Sequence, residues 1–211
     1  MTTPYDKRFV ALRYYLYGRS YFTGMKAFNY GQKHHKGMRF DKVTPEFQHQ
    51  VDIALYLTTL KDISDEETTL AVALLHDVVE DYNVLRDFTT VFDEDITNSV
   101  WRLTKPGSKG RSNEPLTPEN KKMYFDKIAE DPIASLVKGA DRINNIQTMA
   151  GAFSKEKQKR YSDEVEQFFL PMIKTAMKNF PEQTPAYLNI TNMLRCQLEF
   201  VKQTLVVPEV K

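Results

Sequence analysis

The sequence predicts an all-α protein, a single-domain helical bundle, on three observations. Strand signals are scarce along its 211 residues. Helix start signals recur: Ser64 with Glu67 reads as a capping box, and Thr117-Pro118 as an N-cap followed by proline in the first helical position. From Pro132 onward, Leu136, Ala140 and Ile143 form an apolar stripe while Lys138, Asp141, Asn145 and Thr148 repeat on a separate polar one. A chain that is 41% hydrophobic can bury one sizeable core, and no Pro/Gly/Ser-rich linker divides it. Residues 1–211 therefore read as one domain, with 184–211 a C-terminal helical extension.

Taken in order, Met1 to Arg19 scatters Lys7, Arg8 and Arg13 among aromatics and lacks the apolar core of a signal segment. Tyr14, Tyr15, Tyr17, Tyr21 and Phe22 read as core or helix-packing residues rather than base-stacking ones. Residues 46–61 and 86–103 read as helices, as do 70–81, 118–130, 155–178 and 184–205, with Pro181 and Pro185 marking a break before the last. Between Trp101 and Thr117, the stretch Lys105 to Asn113 has loop composition and three positive charges. It is either a solvated surface loop or a flap that closes over phosphates.

Composition excludes several classes. No uncharged apolar run approaches the ~20 residues that cross a bilayer, so a cytoplasmic protein without membrane partners is expected. A net charge of +1 argues against a nucleic-acid binder and leaves any anionic substrate to be met by local charge. The single Cys196 excludes an internal disulfide and, between Leu194 and Leu198, reads as a packed thiol. Oligomeric state is left open.

The chemistry concentrates in Leu70 to Asp81. At 100° per residue, His76, Asp77, Glu80 and Asp81 occupy one arc of a helix, opposite Ala71, Leu74, Leu75, Val78 and Val79. One turn earlier that arc carries Leu70 and Ala73, which sets the charges beneath a partly dry rim. Burying charge costs several kcal/mol unless it is paired or metal-bound. The plain alternative is an ordinary helix end, although Glu80 and Asp81 would there oppose the macrodipole. Three helical segments offer a joint ligand set: His49, then His76 and Asp77, then Asp141. Two imidazoles and two carboxylates suit manganese, iron or zinc. Read alone, His49 is a satisfied or surface histidine, and Asp141 an ion-pair partner of its basic neighbours.

Leu74-Leu75-His76-Asp77-Val78-Val79-Glu80-Asp81, then Val137 to Asn145 and the distal Glu156 to Arg160, closely resemble the HD-superfamily hydrolase domain of Rel/SpoT-type alarmone enzymes. The likeness runs in order over most of residues 20–175. It implies an all-helical hydrolase of the small stand-alone type, with one manganese ion. The activity it implies is removal of the 3′-diphosphate of guanosine tetra- or pentaphosphate, (p)ppGpp, in the stringent response. By resemblance, His49, His76, Asp77 and Asp141 hold the metal, with His35 the rival of His49. Glu80 and Asp81 support catalysis, and Asn145 and Thr148 lie in the nucleotide pocket. Lys138 is expected to stabilise phosphoryl charge, and Arg142 to do the same or to pair with an acid on another helix. The chain departs from the family in carrying His34-His35-Lys36-Gly37 where an Arg-Lys-Ser-Gly element stands, so His34 and His35 are read either as phosphate contacts or as plain surface histidines. It also has a longer stretch from Gly37 to His49, His49-Gln50 for a His-Pro pair, and Ile143-Asn144-Asn145 for Leu-His-Asn. The alternatives are an HD phosphohydrolase for another nucleotide, such as an NADPH phosphatase, or a non-catalytic nucleotide-binding module.

Overall fold

Leu70, Ala71, Val72, Ala73, Leu74 and Leu75 are all fully buried, and this run determines how the other helices are arranged. A helix that is apolar on every side must be surrounded. The structure, a computed structural model, describes residues 4–206 apart from positions 40, 83 and 114, and the regular elements within them are helices joined by turns and loops. In chain order the helices are α1 (Pro4–Gly18), α2 (Phe22–His34), α3 (Gln48–Leu57), α4 (Glu66–Leu75), α5 (Val78–Asp81) and α6 (Leu85–Val91). There follow α7 (Glu94–Leu103), α8 (Pro118–Ile128), α9 (Pro132–Met149), α10 (Lys155–Glu164), α11 (Leu170–Asn179) and α12 (Thr184–Val206). Among the described residues the only extended pairing is an isolated bridge between Met38 and Pro45. Helix α4 is central, packed by α2, α3, α7 and α9, and α12 lies along α9. Of the C-terminal extension, residues 207–211 lie outside the described residues.

Close approach of α2 to α4 depends on Gly31. A Cβ there would sit 2.6 Å from the Leu74 carbonyl oxygen and 2.7 Å from the Phe47 ring. Phe28 and Phe47 pack edge to face beside it, with centroids 5.2 Å apart.

Several boundaries differ from the sequence expectation. The N-cap of α4 is Asp65, whose carboxylate accepts from the Thr68 N–H, and Ser64 does not cap it. Glu67 closes no capping box either; its carboxylate accepts from the Thr23 N–H of α2, 2.7 Å away. Residues 86–103 form two helices, because Asp93 caps a new start at Glu94, its carboxylate accepting from the Ile96 N–H. The 46–61 helix stops at Leu57, where the Thr58 and Thr59 hydroxyls donate to the carbonyls of Leu55 and Tyr56. Residues 155–178 are continuous but widen into a π-turn at Val165–Phe169, next to Pro171, which has no N–H for the ladder. Thr117 caps α8 as expected. Helices α1 and α2 were not marked by the sequence pattern. Of their aromatics, Tyr14, Tyr17 and Phe22 are exposed rather than packed, while Tyr15 and Tyr21 donate to Glu66. Cys196 is exposed as well, since two positions from both Leu194 and Leu198 places it on the opposite face of α12.

The start of α9, which carries Asp141, is held by Asp131. One carboxylate oxygen accepts from the N–H groups of Ile133 (2.9 Å) and Ala134 (2.8 Å), and the other from the Ser99 hydroxyl of α7 (2.9 Å). Asp131→Ala removes the cap and orphans a buried hydroxyl, so a loss of about 2 kcal/mol is expected. In a chain of this length that is a fall of roughly 4–8 °C in melting temperature, read by calorimetry.

Candidate metal centre and adjoining cavity

Helix α4 does not run on to Asp81. It ends at Leu75; His76 and Asp77 form a turn, and Val78–Asp81 is a separate helical turn. His76 Nδ1 donates to the Ala73 carbonyl (2.8 Å), competing with the backbone ladder at that end. The backbone restarts when the Asp81 and Tyr82 N–H groups bond to Asp77 and Val78. The expected single arc of four charges is therefore divided, and each charged residue has its own set of partners.

His49 of α3, His76 and Asp77 of the turn, and Asp141 of α9 meet. His49 Nε2 lies 3.2 Å from Asp141 Oδ1 and 3.8 Å from Asp77 Oδ2. His76 Nε2 lies 3.1 Å from Asp77 Oδ2 and 4.0 Å from Asp141 Oδ1. Donor atoms bound at ~2.1 Å to one ion are separated by about 3.0–3.4 Å, so these spacings are close to those of a coordination sphere. Both histidines are fixed through the other ring nitrogen: His76 as described, and His49 because Nδ1 donates to Asn144 Oδ1 at 2.7 Å. Each Nε2 is thereby turned toward the carboxylates, as the nitrogen through which a histidine would coordinate an ion once its proton is displaced. His76 Nε2 is buried and has no hydrogen-bond partner, which is costly unless something coordinates it. The donor set fits a divalent transition ion held by His49, His76, Asp77 and Asp141.

The electrostatics agree. Burial disfavours a charge on His76, but Asp77 and Asp141 outweigh it and push its pKa up to about 9. Burial likewise resists ionisation of Asp77 and Asp141. His76 nevertheless draws the first below the usual carboxylate range, and Lys138, with the two histidines, draws the second well below it. Two ionised acids thus face two imidazoles in a dry setting that favours a cation.

Glu80 and Asp81 diverge from this cluster. The Glu80 carboxylate accepts from the Lys105 Nζ (2.7 Å) and backbone N–H (3.2 Å), which anchors the start of the 105–113 loop. Gly110 of that loop lies against the Val79 carbonyl, where an added Cβ would stand 2.4 Å away. The Asp81 carboxyl pKa is pushed up to about 6, by burial first and then by Asp77, Glu80 and Glu46. His34 donates from Nδ1 to Tyr30 of its own helix. His35 is 3% exposed, faces Glu46 and Asp81, and has its pKa lowered to about 4 by burial against the opposing pull of Asp77 and Glu46. His49, not His35, reaches Asp141.

Residues 27–175 match the family described as HD domain. The chain belongs to the HD domain family. It is similar, at 32% identity over 149 residues, to the protein named GTP pyrophosphokinase rsh of Brucella melitensis, covering 70% of this chain and 19% of that one. It is 27% identical over 201 residues to guanosine-3′,5′-bis(diphosphate) 3′-pyrophosphohydrolase of Aquifex aeolicus, covering 88% and 28%. The chain thus spans only 19% and 28% of the length of these two relatives. A solved structure described as a metazoan ortholog of SpoT that hydrolyzes ppGpp superposes with a TM-score of 0.63 at 21% identity, covering 83% of this chain and 95% of that one, so the fold is shared.

Asp141 also lines one wall of a cavity of about 430 Å³, the volume of a small-ligand site. Its cations are Lys105, Lys121, Lys138, Arg142 and Arg160, and Tyr124, Tyr161 and Phe169 add aromatic faces. Lys138 is buried with Nζ 3.3 Å from Asp141 Oδ2, so it faces the four-residue cluster as well as the cavity. Arg142 pairs with Glu164 on α10 and lies over the Phe169 ring at 4.2 Å, the acid-on-another-helix option. Asn145 donates to Asp141 Oδ1, and on the far side Arg39 reaches Asn145 (3.5 Å) and the exposed Thr148 (3.4 Å). Burial lowers the Arg39 pKa while Asp141 and Asp77 oppose it, so this guanidinium lies within the field of the two clustered acids. Sequence reasoning assigned no role to Arg39, Lys121, Asn144 or Arg160. Arg160, as the last residue of the distal element, and Asn144, within the Val137–Asn145 element, lay in the stretches that carry the family resemblance; Arg39 and Lys121 gave no signal.

Proposed function

We propose that this HD domain is a metal-dependent hydrolase of a phosphorylated nucleotide, and that its substrate is (p)ppGpp, from which it releases the 3′-diphosphate as pyrophosphate. One observation carries the reading: a four-donor cluster and a five-cation cavity share Asp141. Relatives named for guanosine 3′-pyrophosphohydrolysis support the choice of nucleotide.

A divalent ion, with manganese as its native identity, supplies Lewis acidity when bound and lowers the pKa of water at the site from about 15.7 toward neutrality. His49, His76, Asp77 and Asp141 hold it. Glu80 takes the proton of the attacking water, with Asp81 in support. The oxygen adds to phosphorus in line, the P–O3′ bond breaks, and the proton passes to the leaving 3′-oxygen. Lys138, Lys105 and Arg160 meet charge on the phosphoryl oxygens, and Arg142 stacks rather than moves. Asn145, Thr148 and Arg39 border the nucleotide on the other side.

Glu80→Gln keeps the shape of the side chain and its bond to the Lys105 N–H but removes the proton acceptor. Turnover of ppGpp is expected to fall about 10²–10⁴-fold with metal content unchanged. The His34-His35 element in place of the family's Arg-Lys-Ser-Gly favours one other reading, a different nucleotide. Assaying ppGpp beside NADPH and other nucleotides, with phosphate and pyrophosphate measured separately, decides between them. Phosphate release from NADPH with no pyrophosphate from ppGpp overturns the first reading. Turnover of none of them leaves a non-catalytic nucleotide-binding module.

A further inference from the structure

The centre described above uses four donors and leaves another cluster unexplained on its flank. His35, at the C-terminal end of α2, Glu46, just before α3, and Asp81, at the end of α5, each place one donor atom within 4.8 Å of the others. His35 Nδ1 is 3.9 Å from Glu46 Oε2. We propose that His35, Glu46 and Asp81 form a second divalent-cation site, distinct from the one held by His49, His76, Asp77 and Asp141.

The imidazole of His35 points most strongly to a ligand. Its side chain is fully buried, yet neither Nδ1 nor Nε2 has a hydrogen-bond partner. Buried polar nitrogens are satisfied in the great majority of native structures, and leaving two on one ring is costly. The ring is nevertheless held in place. It stacks against Phe47 with centroids 6.3 Å apart and meets Tyr82 edge-on at 5.3 Å, so its direction is set by packing. Glu46 is oriented too: Oε2 accepts from the Tyr82 hydroxyl (3.0 Å) and the Gly37 N–H (3.3 Å), the kind of support that carboxylate ligands of metals receive. Asp81 is the third donor, half-buried and on the short helix that follows Asp77.

One imidazole and two carboxylates suit a hard to borderline divalent ion such as manganese, iron or zinc. Three protein donors leave further coordination positions for water or a phosphate oxygen. An ion here makes Asp81 a ligand, where the nucleotide reading has it only assist Glu80. The inference rests on the geometry of these three side chains and holds whether or not ppGpp is the substrate.

The test is manganese binding to the full chain, by equilibrium dialysis against MnCl₂ with metal quantified by mass spectrometry. Wild type is expected to saturate at two ions per chain. His35→Ala should retain one, and Asp77→Asn, which damages the other centre, should also retain one. Glu46→Gln preserves shape and packing and should weaken the second binding step by about tenfold or more; it carries the test if His35→Ala does not fold. Low-temperature electron paramagnetic resonance locates the ions, since the signal left in His35→Ala and that left in Asp77→Asn come from different donor sets. Saturation of wild type at a single ion overturns the proposal, as do two ions in both His35→Ala and Glu46→Gln. Failure of the nucleotide reading registers separately, as absent turnover with two ions bound.

Discussion

Asp77→Asn is expected to strip the protein of its principal ion and to lower nucleotide turnover by about 10³-fold or more. The Asp77 carboxylate lies 3.1 Å from His76 Nε2 and 3.8 Å from His49 Nε2, so it links the two imidazoles. Asparagine keeps the volume and one oxygen but removes the charge, and with it the attraction that offsets desolvation of the cluster. Lewis acidity at a phosphoryl centre is worth several kcal/mol, and about 4 kcal/mol corresponds to roughly 10³ in rate. Metal content after gel filtration, together with pyrophosphate released from ppGpp, measures both halves of the effect. Unchanged metal and unchanged turnover would remove the catalytic assignment altogether.

The second large effect is on stability. The proposed ligands come from α3, the turn after α4, and α9 and exist as a set only in the folded state, so an ion held by them would bind the native chain alone. Free metal a hundredfold above its dissociation constant then adds about 2.7 kcal/mol. For a chain of this size that is roughly 5–10 °C in melting temperature. A chelator added to the loaded protein is expected to return the melting curve to its metal-free position, and excess manganese to restore it. A melting temperature indifferent to both would mean that the four side chains do not bind an ion jointly.

The parts of this architecture that were legible in the sequence are those where one local signal dominates. The Thr117 cap, the Pro132 start and the apolar stripe of α9 each stand in the structure as read. Helices α1 and α2 were not legible. Their aromatics are weak helix formers, and with Tyr14, Tyr17 and Phe22 facing solvent there is no clean apolar stripe. The capping error has the same root: Ser64, Asp65 and Glu67 are all good cap chemistry, and only tertiary contact decides that Glu67 serves Thr23. At the site, spacing was enough to mark His49, His76, Asp77 and Asp141 as a possible set. It was not enough to show that the helix breaks at His76, because the hydrogen bond from His76 to Ala73 depends on a side-chain rotamer. Arg39 and the bond from His49 to Asn144 were invisible for a similar reason, since the partners lie far apart in sequence.

The long chain path from His49 to Asp141 has a kinetic consequence. Bringing such remote segments together costs loop entropy before any coordination bond repays it, so the cage assembles only after α3, α4 and α9 have docked. An ion that arrives last cannot guide the search for the native topology. Held by the proposed ligands it would act afterwards as a bolt, slowing escape from the folded basin while leaving the speed of entry nearly untouched.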